Sequence, residues 1–169
     1  VVTDDVYGGT YRYMTKILNR RNIDVTFVDT SNQDEVKESI RPETKAIYIE
    51  TPTNPLLKVS DIAALAAIAK ASDLLFIVDN TFNTPYWQTP IELGANIVIH
   101  SATKYLGGHS DVVAGLVVVD DEELGEEIHF IQNGSGGVLA PHDSWLLMRG
   151  IRTLGVRMEE IESNTGKIV

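Results

Sequence analysis

Apolar positions along the chain fall into two spacings. Lys45–Ala46–Ile47–Tyr48–Ile49–Glu50, Leu74–Leu75–Phe76–Ile77–Val78–Asp79 and Asn96–Ile97–Val98–Ile99–His100 are short, nearly continuous apolar runs, and Asp111 to Val119 is another. Runs of this length between polar residues predict buried strands. Asp24–Val25–Thr26–Phe27–Val28–Asp29 alternates as a strand does, and Val1 to Asp5 has the pattern of a short strand running into a loop. The segments between them have helical spacing. Tyr11 to Arg21 carries Met14, Ile17 and Leu18 on one face and ends in Arg20–Arg21–Asn22, cations that suit a helix C-terminus. Asn32 with Glu35 forms the pattern of a capping box for a helix to Ile40. Ser60 is placed to open a helix carrying Ile62, Leu65, Ala66, Ile68 and Ala69. Asp120–Asp121–Glu122–Glu123 reads as a solvated helix start. Pro141 suits the first turn of one long helix expected to reach Glu162. Thr51–Pro52–Thr53–Asn54–Pro55 must be a loop, since neither proline can donate to a ladder or a helix.

Strands apolar on both faces and alternating with helices predict an α/β fold with a mostly parallel, helix-covered sheet. In such sheets a ligand binds at the carboxyl ends of the strands. Polar clusters fall at these ends: Glu50 with Asn54, Asp79 with Asn80, and Ser101–Ala102–Thr103–Lys104. Far apart in sequence, they are expected to converge in space.

Composition narrows the classes. The 169 residues suit one domain, and 43% hydrophobic with 22% charged residues is an ordinary globular balance. A net charge of −10 disfavours nucleic-acid binding. The absence of cysteine excludes disulfides, Cys-ligated metals and thiol nucleophiles, and fits a cytoplasmic protein. No apolar run approaches the roughly 18 residues of a membrane span, so no membrane partner is expected. The chain lacks an initiator Met and a C-terminal helix stop; both ends are expected to be cuts in a longer polypeptide, a trimmed complete domain being the alternative.

Lys104 follows a buried strand and precedes Gly107–Gly108. A lysine partly desolvated near other cations becomes a nucleophilic amine that forms Schiff bases with aldehydes, pyridoxal phosphate among them. That cofactor needs phosphate donors, which Ser101 and Thr103 can offer, and a carboxylate for its ring nitrogen, for which Asp79 is the candidate. Tyr7 can stack on the ring, and Asn54 can donate to its phenolic oxygen. Each has a plainer alternative: Asp79 capping a turn, Ser101 and Thr103 satisfying loop backbone, Tyr7 in the core, Glu50 as a solvated strand end, Lys104 as a surface residue. Competing motifs fail. Ser101–Ala102–Thr103–Lys104 matches S-x-x-K, but the accompanying S-D-N and K-T-G are absent. Gly134–Ser135–Gly136–Gly137 lacks the third glycine of a dinucleotide fingerprint, where Leu139 stands. His109 with Asp111 has no third metal ligand at a recognisable spacing and is expected to make structural hydrogen bonds.

Asp5–Val6–Tyr7–Gly8–Gly9–Thr10, Glu50–Thr51–Pro52–Thr53–Asn54–Pro55, Val78–Asp79–Asn80–Thr81–Phe82 and Ser101 to Asp111 occur in this order. Together they resemble the cysteine/methionine-metabolism family of pyridoxal-phosphate enzymes over essentially the whole chain. The resemblance implies a three-layer, fold-type-I, aspartate-aminotransferase-like architecture, with residues 1–169 as part of the large pyridoxal-phosphate-binding domain. It implies pyridoxal 5'-phosphate linked to Lys104 and its ring nitrogen paired with Asp79. Ser101 and Thr103 would hold the phosphate, Tyr7 would stack and act in catalysis, and Asn54 would contact the phenolic oxygen. Arg12 and Glu50 would serve substrate binding, and Asp111 would support the lysine loop. Nothing here matches the family's N-terminal arm, the glycine turn before Tyr7, or the C-terminal domain with its carboxylate-binding arginine. The fragment alone is therefore expected to be inactive. Gly9 stands where methionine γ-lyases carry cysteine, which turns the resemblance towards cystathionine γ-lyase, with γ-synthase or β-lyase as alternatives. The implied parent acts on a small amino-acid substrate and is a homotetramer, a dimer of dimers. Two other classes stay open: a binding module with a degenerate cofactor site, and a lysine-dependent aldolase without cofactor.

Overall fold

The computed structural model describes residues 1–169, and the chain divides into two compact units: residues 1–80 with 90–98, and residues 81–89 with 99–169. The first unit opens with β1 (Val2–Thr3), then α1 (Gly8–Tyr13), which continues as a π-helical stretch over Met14–Leu18 and a 3₁₀ turn over Asn19–Arg21. The helix thus starts three residues before the Tyr11 its apolar pattern indicates, and Asn22, at φ 58, ends it in the left-handed conformation that asparagine tolerates. β2 (Phe27–Val28) is shorter than the alternation from Asp24 predicts. α2 (Gln33–Glu38) is capped by the Asn32 side chain, but Glu35 reaches back to the Asp29 N–H rather than completing the box at Asn32.

β3 (Ala46–Glu50) is followed by the loop with cis bonds at Thr51–Pro52 and Asn54–Pro55. α3 (Ile62–Ala71) is capped by Asp61, whose carboxylate accepts the Ala64 N–H. The Ser60 hydroxyl is taken by Thr30 at 2.8 Å, which is why it does not cap. β4 (Leu75–Asp79) pairs parallel with β3 from Ala46↔Leu75 to Glu50↔Asp79, so the register places two carboxylates side by side at the strand ends. The core of this unit gathers Val36, Ile47, Ile49, Leu65, Phe76 and Val78, all essentially inaccessible. Burying each such side chain contributes about 1.5–3 kcal/mol.

The second unit holds α4 (Thr84–Trp87), the end of β5 (Ile97–Ser101), β6 (Gly115–Val118), α5 (Glu122–Ser135), α6 (Pro141–Ile151) and α7 (Leu154–Ile168). The single helix expected from Pro141 to Glu162 is two helices. The chain turns at Arg152–Thr153, where the Gly150 carbonyl accepts the Thr153 N–H, the Thr153 hydroxyl and the Arg157 guanidinium instead of continuing the ladder. The core of this unit is Ala102, Leu106, Leu147, Leu154 and Met158. Within the first unit the strands pair in the order β2-β1-β3-β4, with β1–β2, β1–β3 and β3–β4 all parallel, as the uninterrupted apolar runs predict.

Candidate active site

In the first unit the site residues gather around Glu50, at the carboxyl end of β3. The residue is buried, with 6% of its surface exposed. One carboxylate oxygen accepts the Tyr7 N–H at 3.0 Å and the other the Asn54 N–H at 2.8 Å. Glu50 therefore ties the start of α1 to the proline loop and positions two of the expected cofactor contacts. Burial pushes its pKa up to about 7; the charges of Asp79 and Asp5 add to this, while the N–H groups of Tyr7 and Asn54 oppose it. On the neighbouring strand Asp79 accepts the Tyr48 hydroxyl at 3.3 Å. Burial, then the charges of Asp79 and Glu50, raise the Tyr48 pKa, so this hydroxyl stays a donor. The loop is fastened from the other side. The Thr53 hydroxyl donates to Asp5, which also accepts the Leu56 N–H, and the Lys58 amine bridges Asp4 and Asp29 at 3.0 and 2.9 Å. Ser31 and Lys58 hold the Asp29 carboxyl down at about 2.

Tyr7 is 55% exposed, so its ring is not a core aromatic. A Cβ built on Gly9 would lie 2.4 Å from the Tyr7 ring, so the bare glycine is what lets the ring lie across it. Arg12 is exposed on α1, and the Asn54 side chain makes no hydrogen bond within the chain.

The second unit carries the lysine loop. The chain leaves β5 at Ser101, whose N–H donates to the Thr81 hydroxyl at 2.8 Å. It then turns tightly: Lys104 N–H to Ser101 O, Gly107 N–H to Ala102 O and Gly108 N–H to Lys104 O. Lys104 is exposed on the surface of the loop. The Ser101 hydroxyl has no partner within the chain, whereas the Thr103 hydroxyl is engaged with the Ala114 backbone, donating to its carbonyl and accepting its N–H at 3.0 Å. Of the two expected phosphate donors, Ser101 is ready and Thr103 is engaged. His109 contacts the Gly107 carbonyl through Nδ1 at 2.9 Å, the structural role expected of it, and Asp111 pairs with Arg149 at 2.9 Å. No cluster of residues suited to a metal ion is present, and no helix is long and apolar enough to cross a membrane.

Sequence reasoning missed Tyr48, concealed inside an apolar strand run, and Arg157, a helix-face cation that meets two main-chain carbonyls and the Thr153 hydroxyl, of which the carbonyls are announced by no side-chain pattern.

A mostly parallel α/β sheet with a lysine on the loop after one strand and a carboxylate ending another is the arrangement expected of a pyridoxal-phosphate-dependent domain, and the family comparison shows that class. The chain belongs to the Cys/Met metabolism PLP-dependent enzyme family, whose model matches residues 1–169. It is 70% identical over 168 residues to a cystathionine gamma-lyase of Bacillus subtilis, covering 99% of this chain and 44% of that protein. It is 61% identical to a cystathionine beta-lyase of Lactococcus lactis, again over 99% of this chain and 44% of that one. Among solved structures, the cystathionine gamma-lyase of Lactobacillus plantarum complexed with L-serine superposes with a TM-score of 0.98 at 54% identity, over 99% of this chain and 44% of that chain. The chain thus spans less than half the length of these relatives.

Each unit carries groups of the kind pyridoxal phosphate needs: in the second, the exposed Lys104 beside the Ser101 hydroxyl; in the first, the strand-end carboxylate of Asp79 and the exposed Tyr7 ring over a bare glycine.

The raised Glu50 pKa carries a pH prediction. An unfolded glutamate titrates near 4.5, so the native state binds more protons than the unfolded state between there and about 7. Stability from this group is fully present below that window and is lost as pH rises through it. Relative to Glu50→Gln, the full-length protein is expected to lose on the order of 2–3 kcal/mol between about pH 5 and about pH 7.5. Urea midpoints at the two pH values read this directly, and parallel profiles for the two proteins would refute it.

Proposed function

We propose that residues 1–169 are part of the large cofactor-binding domain of a pyridoxal-phosphate enzyme acting at Cγ of sulfur amino acids, a cytoplasmic cystathionine γ-lyase assembled as a homotetramer. The observation that carries the reading is the pairing of an accessible Lys104 amine with the high identity to the Bacillus subtilis γ-lyase. Lys104 would hold the cofactor covalently and, once released by substrate, move protons at Cα and Cβ. Asp79 would keep the ring nitrogen protonated, with the Tyr48 hydroxyl orienting its carboxylate. Ser101 would bind the phosphate directly, and Thr103 after releasing the Ala114 carbonyl. Tyr7 would stack on the ring and Asn54 would reach the phenolic oxygen, both held in place by Glu50. Arg12 would meet the substrate. The cofactor supplies an electron sink that stabilises negative charge on carbon beside the substrate nitrogen. The β-lyase and γ-synthase relatives support those two activities as the second reading.

The test is borohydride reduction of the full-length protein with pyridoxal phosphate, followed by peptide mapping. A stable pyridoxyl group is expected on Lys104 and on no other lysine of this chain. Labelling elsewhere, or none, would reject the assignment. Turnover of cystathionine against O-acyl-homoserine plus cysteine then separates lyase from synthase.

A further inference from the structure

We infer that Arg157 is a positioning residue that fixes the loop bearing Lys104, by binding the main chain of that loop and the end of α6 with one guanidinium. The inference rests on reading Lys104 as the cofactor lysine.

Three nitrogens of Arg157 have three different acceptors. Nη1 donates to the Tyr105 carbonyl at 2.7 Å, one residue past Lys104. Nη2 donates to the Gly150 carbonyl at 2.8 Å, and Nε to the Thr153 hydroxyl at 3.1 Å. The guanidinium makes no ion pair, and its partial burial lowers its pKa with no carboxylate to oppose the shift. A partly desolvated cation spent on carbonyls rather than on a carboxylate is unusual, because Arg seeks planar anionic partners. Here it closes the C-terminal end of α6, where a cation is favoured by the helix dipole. The loop is shaped to receive it. Gly108 has φ +75, and a Cβ built there would lie 2.3 Å from the Arg157 Cζ. Only glycine both adopts that conformation readily and leaves room for the guanidinium. Lysine cannot replace Arg157, since a single ammonium cannot reproduce three donors fixed in one plane. Arg157 and Lys104 line the same open cavity of about 900 Å³, so a small cation from solvent can reach the guanidinium position.

The experiment uses the full-length protein, stripped of cofactor and then given pyridoxal phosphate and borohydride. Arg157→Ala is expected to label at Lys104 about 10- to 100-fold more slowly than wild type, the scale on which a displacement near 1 Å acts. Millimolar guanidinium ion is expected to restore much of that rate. Arg157→Lys should stay close to Arg157→Ala, and the exposed Arg152→Ala should match wild type. Amide exchange at Tyr105–Gly108 should quicken in Arg157→Ala while the amides of β4 keep their protection. Labelling of Arg157→Ala at the wild-type rate would overturn the inference. So would slow labelling that guanidinium does not relieve, accompanied by loss of protection throughout α6 and α7. A wild-type protein that fails to label at all would instead reject the pyridoxal-phosphate reading, and exchange at Tyr105–Gly108 would still judge Arg157 itself.

Discussion

Full-length protein carrying Lys104→Ala is expected to lose at least about 10³-fold in kcat, and Lys104→Arg nearly as much. Under the proposed function the amine would do two things: hold the cofactor covalently and shuttle protons during turnover. Arginine keeps the positive charge at position 104 but offers no nucleophilic amine near neutral pH. If the charge alone mattered, Arg would rescue; if the amine matters, it will not. The side chain is exposed and its loop is held through backbone atoms, so with the cofactor removed neither variant should change the unfolding free energy by more than about 0.5 kcal/mol. Steady-state turnover of cystathionine beside equilibrium unfolding makes the separation. A Lys104→Ala protein retaining a tenth of wild-type kcat would end the assignment.

Gly150→Ala is expected to destabilise by about 3 kcal/mol and to disturb the lysine loop at the same time. Near its C-terminal end α6 lies directly on the loop backbone: a Cβ on Gly150 would sit 2.1 Å from the Gly107 carbonyl oxygen and 2.9 Å from the Leu106 carbonyl oxygen. Both obstacles are main chain, so no side chain can swing aside. Relief requires α6 to separate from the loop, costing packing around Leu106 and Leu147. Gly134→Ala is the control. Gly134 lies in α5 with nothing within 4 Å of its would-be Cβ, and alanine there should leave stability unchanged or raise it by up to about 1 kcal/mol. Urea midpoints of the two variants in the full-length protein should therefore move apart. Equal midpoints would show that helix propensity, and not the approach of α6 to the loop, governs position 150.

The buried central strands were legible because burial leaves a local mark, whereas the runs Asp111 to Val119 and Asp24 to Asp29 shortened to the more exposed Gly115–Val118 and to Phe27–Val28. Ala46–Glu50, Leu75–Asp79 and Ile97–Ser101 lie within a residue of their apolar runs. The helices were less so at their ends, where hydrogen-bond competition decides. Ser60 was spent on Thr30, which left Asp61 to cap α3, and the Gly150 carbonyl turned to Thr153 and Arg157, which divided the last long helix.

By itself the sequence determined the α/β class, the strand-end placement of Glu50, Asp79 and Ser101, the lysine on its loop, and the family through four ordered motifs. These follow from residue identity and short-range periodicity, which fix which face of a strand or helix is buried. Only the tertiary structure decided what those residues hold. It made Glu50 a tether for Tyr7 and Asn54, left the Ser101 hydroxyl free while engaging that of Thr103, set Tyr48 on Asp79, and brought Arg157 to the Tyr105 carbonyl. Each of these contacts involves a backbone amide or carbonyl, or a side chain on a different element. Every residue offers the same backbone groups, so only the folded path of the chain selects which of them a side chain meets.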